Sequence, residues 1–133
     1  MDKQRVLVVD DNDINRRMVK MVLTSAGYEV LSAEGPDEAL AVLSHERPAL
    51  ILMDVQMPGM DGYNLTRKLR ADPNTKDIVI VALTAFALNG EEERARDAGC
   101  DGYISKPIST RTLPKQIAAF IAAGHGTFAA HLN

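Results

Sequence analysis

Four places in this 133-residue chain hold residue types that could do chemistry together: Asp10-Asp11, Asp54, Thr84 and Lys106. Each follows directly on a short apolar run. Val6-Leu7-Val8-Val9 leads into the acidic pair, and Leu50-Ile51-Leu52-Met53 leads into Asp54. Residues 78–83 lead into Thr84, and residues 102–105 into Lys106. Three carboxylates brought together repel one another unless a cation neutralises them. A hard divalent cation with oxygen ligands does this, and Mg2+ suits the set because it keeps waters and can share a phosphate. A carboxylate can also be a nucleophile that forms a covalent intermediate. Attack on a phosphoryl group asks mainly for positioning and for neutralisation of the equatorial oxygens. Lys106 brings positive charge and the Thr84 hydroxyl a donor, so Asp54 is the residue that would carry an aspartyl-phosphate. No histidine or cysteine falls at a strand end, which leaves base-assisted acyl transfer without machinery. No Gly-rich loop follows the first strand, which argues against nucleotide binding.

The elements that must position these groups are legible in the patterning. Short apolar runs bounded by Pro and Gly read as buried strands. Strands are expected at 6–9, 28–33, 50–54, 78–83 and 102–105. A first helix is expected over 14–26, with Ile14, Met18, Val22 and Ala26 on one apolar stripe and Arg16, Arg17 and Lys20 on a solvated face. Asn12 or Asp13 can cap its start, and Gly27 its end. Pro36 suits the first turn of a second helix, with Ala39, Leu40 and Leu43 inward and Pro48 beyond its end. A turn at Met57-Pro58-Gly59 precedes a third helix marked by Leu65 and Leu69. Asn89 can cap a fourth, whose first turn holds Glu91, Glu92 and Glu93 at the positive end of the helix dipole. Leu113, Ile117, Phe120 and Ile121 give the last helix its inner face. Pro114 fits there only if that helix starts near Arg111 or kinks.

Five strands alternating with five helices predict an α/β fold, a doubly wound (βα)5 sandwich with a parallel sheet. The expected strand order is 2-1-3-4-5, the flavodoxin-like arrangement, whose switch point lies between the strands ending in Asp10-Asp11 and Asp54. Residues 1–123 are expected to form one domain and 124–133 a flexible tail.

Composition narrows the function classes. The chain is 46% hydrophobic and 25% charged, with a net charge of −3. That is ordinary for a soluble domain, and it supplies no basic face for nucleic acid. The single cysteine, Cys100, rules out an internal disulfide and reads as a small buried hydrophobe. No apolar run approaches the roughly 18 residues of a membrane span, and no signal core follows Met1. A cytoplasmic chain, monomeric or a weak dimer, is the expectation. Met53, Met57 and Met60 read as packing and loop residues, and His45, His125 and His131 as surface.

With these residues in place, the chain resembles the receiver domains of two-component response regulators. The matching pieces are Asp10-Asp11, then Met53-Asp54-x-x-Met57-Pro58-Gly59-x-x-Gly62, then Thr84-Ala85 and Lys106-Pro107. Any one is weak, whereas all four in order at four strand ends are specific. The resemblance covers about residues 4–122. It implies that Asp54 accepts the phosphoryl group, and that Asp11, Asp54 and the main-chain carbonyl of Gln56 ligate Mg2+ while Asp10 holds a metal-bound water. It implies that Thr84 and Tyr103 switch, that Lys106 contacts the phosphoryl group, and that the Lys106-Pro107 bond is cis. Phe86 and Gln56 occupy the positions that govern access of hydrolytic water.

A narrower resemblance, to DivK-type single-domain regulators, rests on Asp11-Asn12-Asp13-Ile14-Asn15, Leu83-Thr84-Ala85-Phe86-Ala87 and Gly102-Tyr103-Ile104-Ser105-Lys106-Pro107-Ile108. It implies a stand-alone regulator that signals by phosphorylation-dependent protein–protein contact, in cell-cycle or cell-division control. A histidine kinase or phosphotransfer protein would be the donor, docking on Ile14, Asn15, Met18, Pro107 and Ile108. The downstream partner would be kinase-like or a scaffold. Two alternatives stand beside it: a receiver excised from a hybrid histidine kinase or multidomain regulator, and a Mg2+-dependent phosphatase with an aspartyl nucleophile. The phosphatase lacks its usual second acid, since Gln56 stands two residues after Asp54.

Overall fold

The computed structural model describes residues 3–56, 61–85, 90–126 and 128. The expected turn at Met57-Pro58-Gly59, together with Met60, Phe86, the Asn89 cap and His131, lies outside them. In chain order the elements are β1 (Arg5–Val9), α1 (Asp13–Ser25), β2 (Glu29–Ala33), α2 (Pro36–Leu43) and β3 (Leu50–Asp54). Then come α3 (Gly62–Ala71), β4 (Val79–Thr84), α4 (Glu91–Ala98), β5 (Gly102–Ser105) and α5 (Leu113–Ala123). The strands form one five-stranded sheet in the order β2-β1-β3-β4-β5, and every pairing is parallel. This is the expected doubly wound fold.

Side chains of a strand alternate between faces, and here the alternation separates two cores. Val8, Leu52, Val81 and Ile104 join Val19 and Leu23 of α1 and Ile117 and Phe120 of α5. Val9, Met53, Ala82 and Tyr103 face the other way, onto Ala39 of α2, Leu65 and Leu69 of α3, and Ala95 and Ala98 of α4. β3 and β4 are buried throughout, as the continuous apolar runs of a covered parallel sheet require. The register pairs Val9 with Met53, Asp54 with Leu83, and Thr84 with Ser105. The carboxyl ends of β1, β3, β4 and β5 therefore lie along one edge, and whatever follows them shares that edge.

Two local expectations are corrected, and a third is met. The buried residues of α1 are Val19 and Leu23, with Val22 half-buried, whereas Ile14 is 76% exposed and Ala26 is exposed. A strict four-residue repeat rotates around a helix by about 40° per step, so the stripe through 14, 18, 22 and 26 drifts off the core-facing side. Arg16 does not share the solvated face of Arg17. Its side chain is only 12% exposed, against 80% for Arg17, and it reaches back to Asp10, Asp13 and Glu34. The start expected near Arg111, which lets Pro114 fit without a kink, is what the structure has. α5 begins at Leu113, so Pro114 sits in the first turn, where no intrahelical N–H bond is lost.

The start of the expected tail is tied to the body. His125 Nδ1 lies 2.9 Å from Asp101 Oδ1, and the Gly126 N–H donates to the same oxygen. Phe128 packs against the α2–α3–α4 core beneath the Arg96 guanidinium. Asp101 is buried and also accepts from Arg70 and from the Ile80 N–H, so one carboxylate joins α3, β4 and the segment after α5.

Candidate functional site

Asp10 leaves β1 with its main chain still paired, its N–H donating to Ala33 O at 3.1 Å. Its side chain is fully buried. Oδ1 accepts from the Asn12 N–H at 2.8 Å and Oδ2 from Asn15 Nδ2 at 3.3 Å. The Asn12 side chain in turn caps α1 by accepting from the Asn15 N–H. Asp11, next in the chain, is exposed. Asp54 closes β3 and is 1% exposed. Its Oδ1 takes two donors, the Gln56 N–H at 2.9 Å and Lys106 Nζ at 3.2 Å. The Asp10 side chain lies within hydrogen-bond reach of the same carboxylate.

Oxygens of Asp10, Asp11 and Asp54 all lie within 4.8 Å of one another. Burial raises the Asp10 carboxyl above its ordinary value; the Asn12 N–H and the Lys106 charge oppose this, and the Asp54 charge reinforces it. The folded state thus holds that proton more tightly than the unfolded chain does. The associated stability is present in acid and is lost as pH rises through the raised value, until something neutralises the cluster. All three side chains offer hard oxygen donors, so the cluster fits a small divalent cation.

Lys106 is brought to Asp54 by β5. Its N–H donates to Thr84 O at 2.8 Å, and the Lys106-Pro107 peptide is cis, as expected. Thr84 is fully buried at the end of β4, and Tyr103 is 8% exposed in the core of the α2–α3–α4 face. Thr84 shares that face by alternation with Ala82, the neighbour of Tyr103 across the ladder. The Gln56 side chain spans to the loop beyond β4, its Oε1 accepting from the Ala85 N–H at 3.4 Å. Of the expected docking residues, Ile14 and Pro107 are exposed, and Asn15, Met18 and Ile108 are half-buried. Asn15 is bonded into the site itself.

Gly62 seats α3 against the same edge. A Cβ there would lie 2.4 Å from the main-chain oxygen of Asp54 and 2.8 Å from Val55 Cα. Only a glycine lets the helix start this close to the end of β3. The next residue, Tyr63, donates its hydroxyl to the buried carboxylate of Glu91 in α4. Neither the Arg16 contact with the Asp10 carbonyl (2.6 Å) nor the Tyr63–Glu91 bond was read from the sequence. Arg16 looked like one of three solvated cations, and Glu91 like one of three dipole-facing acids. Nothing local distinguished them from their neighbours.

The profile of the response regulator receiver domain matches residues 6–118. The polar-differentiation response regulator DivK of Brucella anthropi is 39% identical over 116 residues, covering 87% of this chain and 94% of the relative. DivK of Brucella melitensis is 38% identical over the same shares. Among solved structures, Vibrio cholerae chemotaxis protein CheY4 superposes with a TM-score of 0.85 at 33% identity, covering 90% of this chain and 99% of that one. The receiver domain of the sensor histidine kinase PA1611 from Pseudomonas aeruginosa, solved with a magnesium ion coordinated in its active-site cleft, superposes with a TM-score of 0.82 at 35% identity, covering 91% and 99%.

Proposed function

The chain belongs to the response regulator receiver domain family, and from that premise we propose that it accepts a phosphoryl group on Asp54 and signals through protein contact. The observation that carries the reading is the setting of Asp54. One oxygen is pinned by the Gln56 N–H and Lys106, and the carboxylate faces two further acids, Asp10 within side-chain hydrogen-bond reach. A buried carboxylate immobilised in this way, beside a lysine and a cluster that fits a cation, is a positioned nucleophile.

The donor is a phosphohistidine on a histidine kinase or phosphotransfer protein. An Asp54 carboxylate oxygen attacks phosphorus, a P–O bond forms, the P–N bond to the imidazole breaks, and the imidazole leaves carrying the electron pair and takes up a proton. Asp11, Asp54 and the main-chain carbonyl of Gln56 are the residues that would hold Mg2+, with Asp10 acting through a bound water. Both oxygens of Asp10 already accept donors, which suits that outer position. Bound there, Mg2+ would neutralise charge on the phosphoryl oxygens. The magnesium ion in the Pseudomonas receiver domain supports the assignment. Lys106 binds a phosphoryl oxygen, and the Thr84 hydroxyl donates to another.

The phosphoryl group adds charge and acceptor oxygens at the ends of four strands. It biases an equilibrium between two arrangements of the edge, in which Thr84 moves and Tyr103 follows on the same sheet face. The altered face, formed by α4, β5 and α5, meets a kinase-like or scaffold partner. The kinase side docks on Ile14, Asn15, Met18, Pro107 and Ile108. The curated relatives are named polar-differentiation response regulators, which supports a task in polarity and cell-division control.

The test is intact mass after incubation with acetyl phosphate and Mg2+. One added phosphoryl group is expected on the native chain, lost with chelator and absent from Asp54→Asn. Catalytic release of phosphate without an adduct would instead mark a phosphatase and overturn the reading.

A further inference from the structure

Asp10 is gripped by the first turn of α1 at two levels. The Arg16 guanidinium donates to its main-chain carbonyl at 2.6 Å and pairs with Asp13 and Glu34, which fixes the loop. Asn15 Nδ2 donates to its Oδ2, while the Asn12 N–H holds Oδ1. Two donors on two oxygens set the plane of the carboxylate. Without the second, repulsion from Asp54 and Asp11 favours turning Asp10 out of the cluster. The Asn15 amide makes no other contact among the described residues, and its main-chain N–H is satisfied independently by Asn12. Its side chain is therefore spent on Asp10 and not on the helix.

We propose that Asn15 is a positioning residue for cation binding, holding the Asp10 carboxylate in the orientation that a bound divalent ion requires. This rests on the receiver reading above and assigns Asn15 a task separate from partner contact. Mg2+ demands near-octahedral geometry, so a misdirected outer carboxylate weakens binding. Loss of a partner to such a group costs about 10–100-fold in metal affinity.

The experiment titrates Mg2+ alone into the native chain, Asn15→Leu and Asn15→Ala, followed by calorimetry, with no partner protein present. Both variants should bind Mg2+ about tenfold more weakly, while their thermal midpoints in chelator stay close to the native one. Labelling by acetyl phosphate should need correspondingly more Mg2+ for its half-maximal rate and reach the native plateau at saturation. A merely structural role would lower the midpoint and the plateau instead. Native-like Mg2+ affinity in both variants overturns the proposal and leaves the receiver reading intact. A native chain that neither binds Mg2+ nor gains a phosphoryl group overturns that reading, and the role of Asn15 with it.

Discussion

Gly62 shows how a single residue without a side chain serves the site. Its φ is unremarkable, and the constraint is space: a methyl group would press on the Asp54 carbonyl and on Met53 Cγ, 2.9 Å away. Alanine inside a helix is ordinarily about 0.5–1 kcal/mol better than glycine. Here the clash with main chain should reverse the sign, since overpacking costs about 1–3 kcal/mol. Gly62→Ala is expected to lower stability by up to about 2.5 kcal/mol in urea unfolding, the net of those two effects. It should also slow labelling of Asp54, whose carbonyl must shift. Native-like stability would show that α3 can back away from β3 at no cost. Asp54 itself illustrates the same economy. Burial, one main-chain donor and one lysine fix its carboxylate in place, as the proposed phosphoacceptor role requires.

Helix α4 is the weakest-anchored element beside the site. Its sequence, EEERARDA, buries only Ala95, Ala98 and the carboxyl end of Glu91. Two methyl groups contribute little hydrophobic stabilisation, so its seat depends on a polar clip. Tyr63 donates to Glu91, and Arg94 pairs with Glu91 while lying over the Tyr63 ring. The clip runs back through Gly62 to the end of β3, which ties α4 to the strand that carries Asp54. Tyr63→Phe keeps the ring and removes the donor, leaving a buried carboxylate short of a partner at a cost of about 1–3 kcal/mol. Amide hydrogen exchange over 91–98 should quicken, with the core of α3 unchanged. Unaltered protection of α4 would mean the alanines suffice. A helix held this way can move with little loss of buried apolar surface, which suits the proposed role of the face that it shares with β5 and α5.

Across the whole molecule, the parallel sheet gathers the ends of β1, β3, β4 and β5 at one edge and sets α1 beside it. The exposed Ile14 (76%) and the half-buried Met18 lie on the same helix as Asn15, which is bonded into the site. On the proposed reading, a phosphohistidine donor to Asp54 comes in beside that helix. Ile14→Asp should slow labelling by a phosphorylated histidine phosphotransfer domain several-fold and leave labelling by acetyl phosphate unchanged. Equal rates from the protein donor would move the docking surface elsewhere.

By itself the sequence determined the five strands, their order and the identity of the groups at the edge. Those depend on local apolar runs and on what directly follows them, and parallel topology then brings the ends together. Asp10, Asp11, Asp54, Thr84 and Lys106 could be named for that reason. What only the tertiary structure decided is which polar residues serve that set. Arg16 looks like a solvated helix residue, and Asn15 like a docking residue, until the loop after β1 turns Asp10 back onto them. Glu91 looks like a dipole-facing acid until α3 brings the Tyr63 hydroxyl against it. The buried side of α1 escaped the four-residue repeat because a helix turns every 3.6 residues, and only the packed sheet fixes which side faces in. Chemistry at strand ends is written in short runs of sequence, whereas the donors that orient it come from distances that only folding sets.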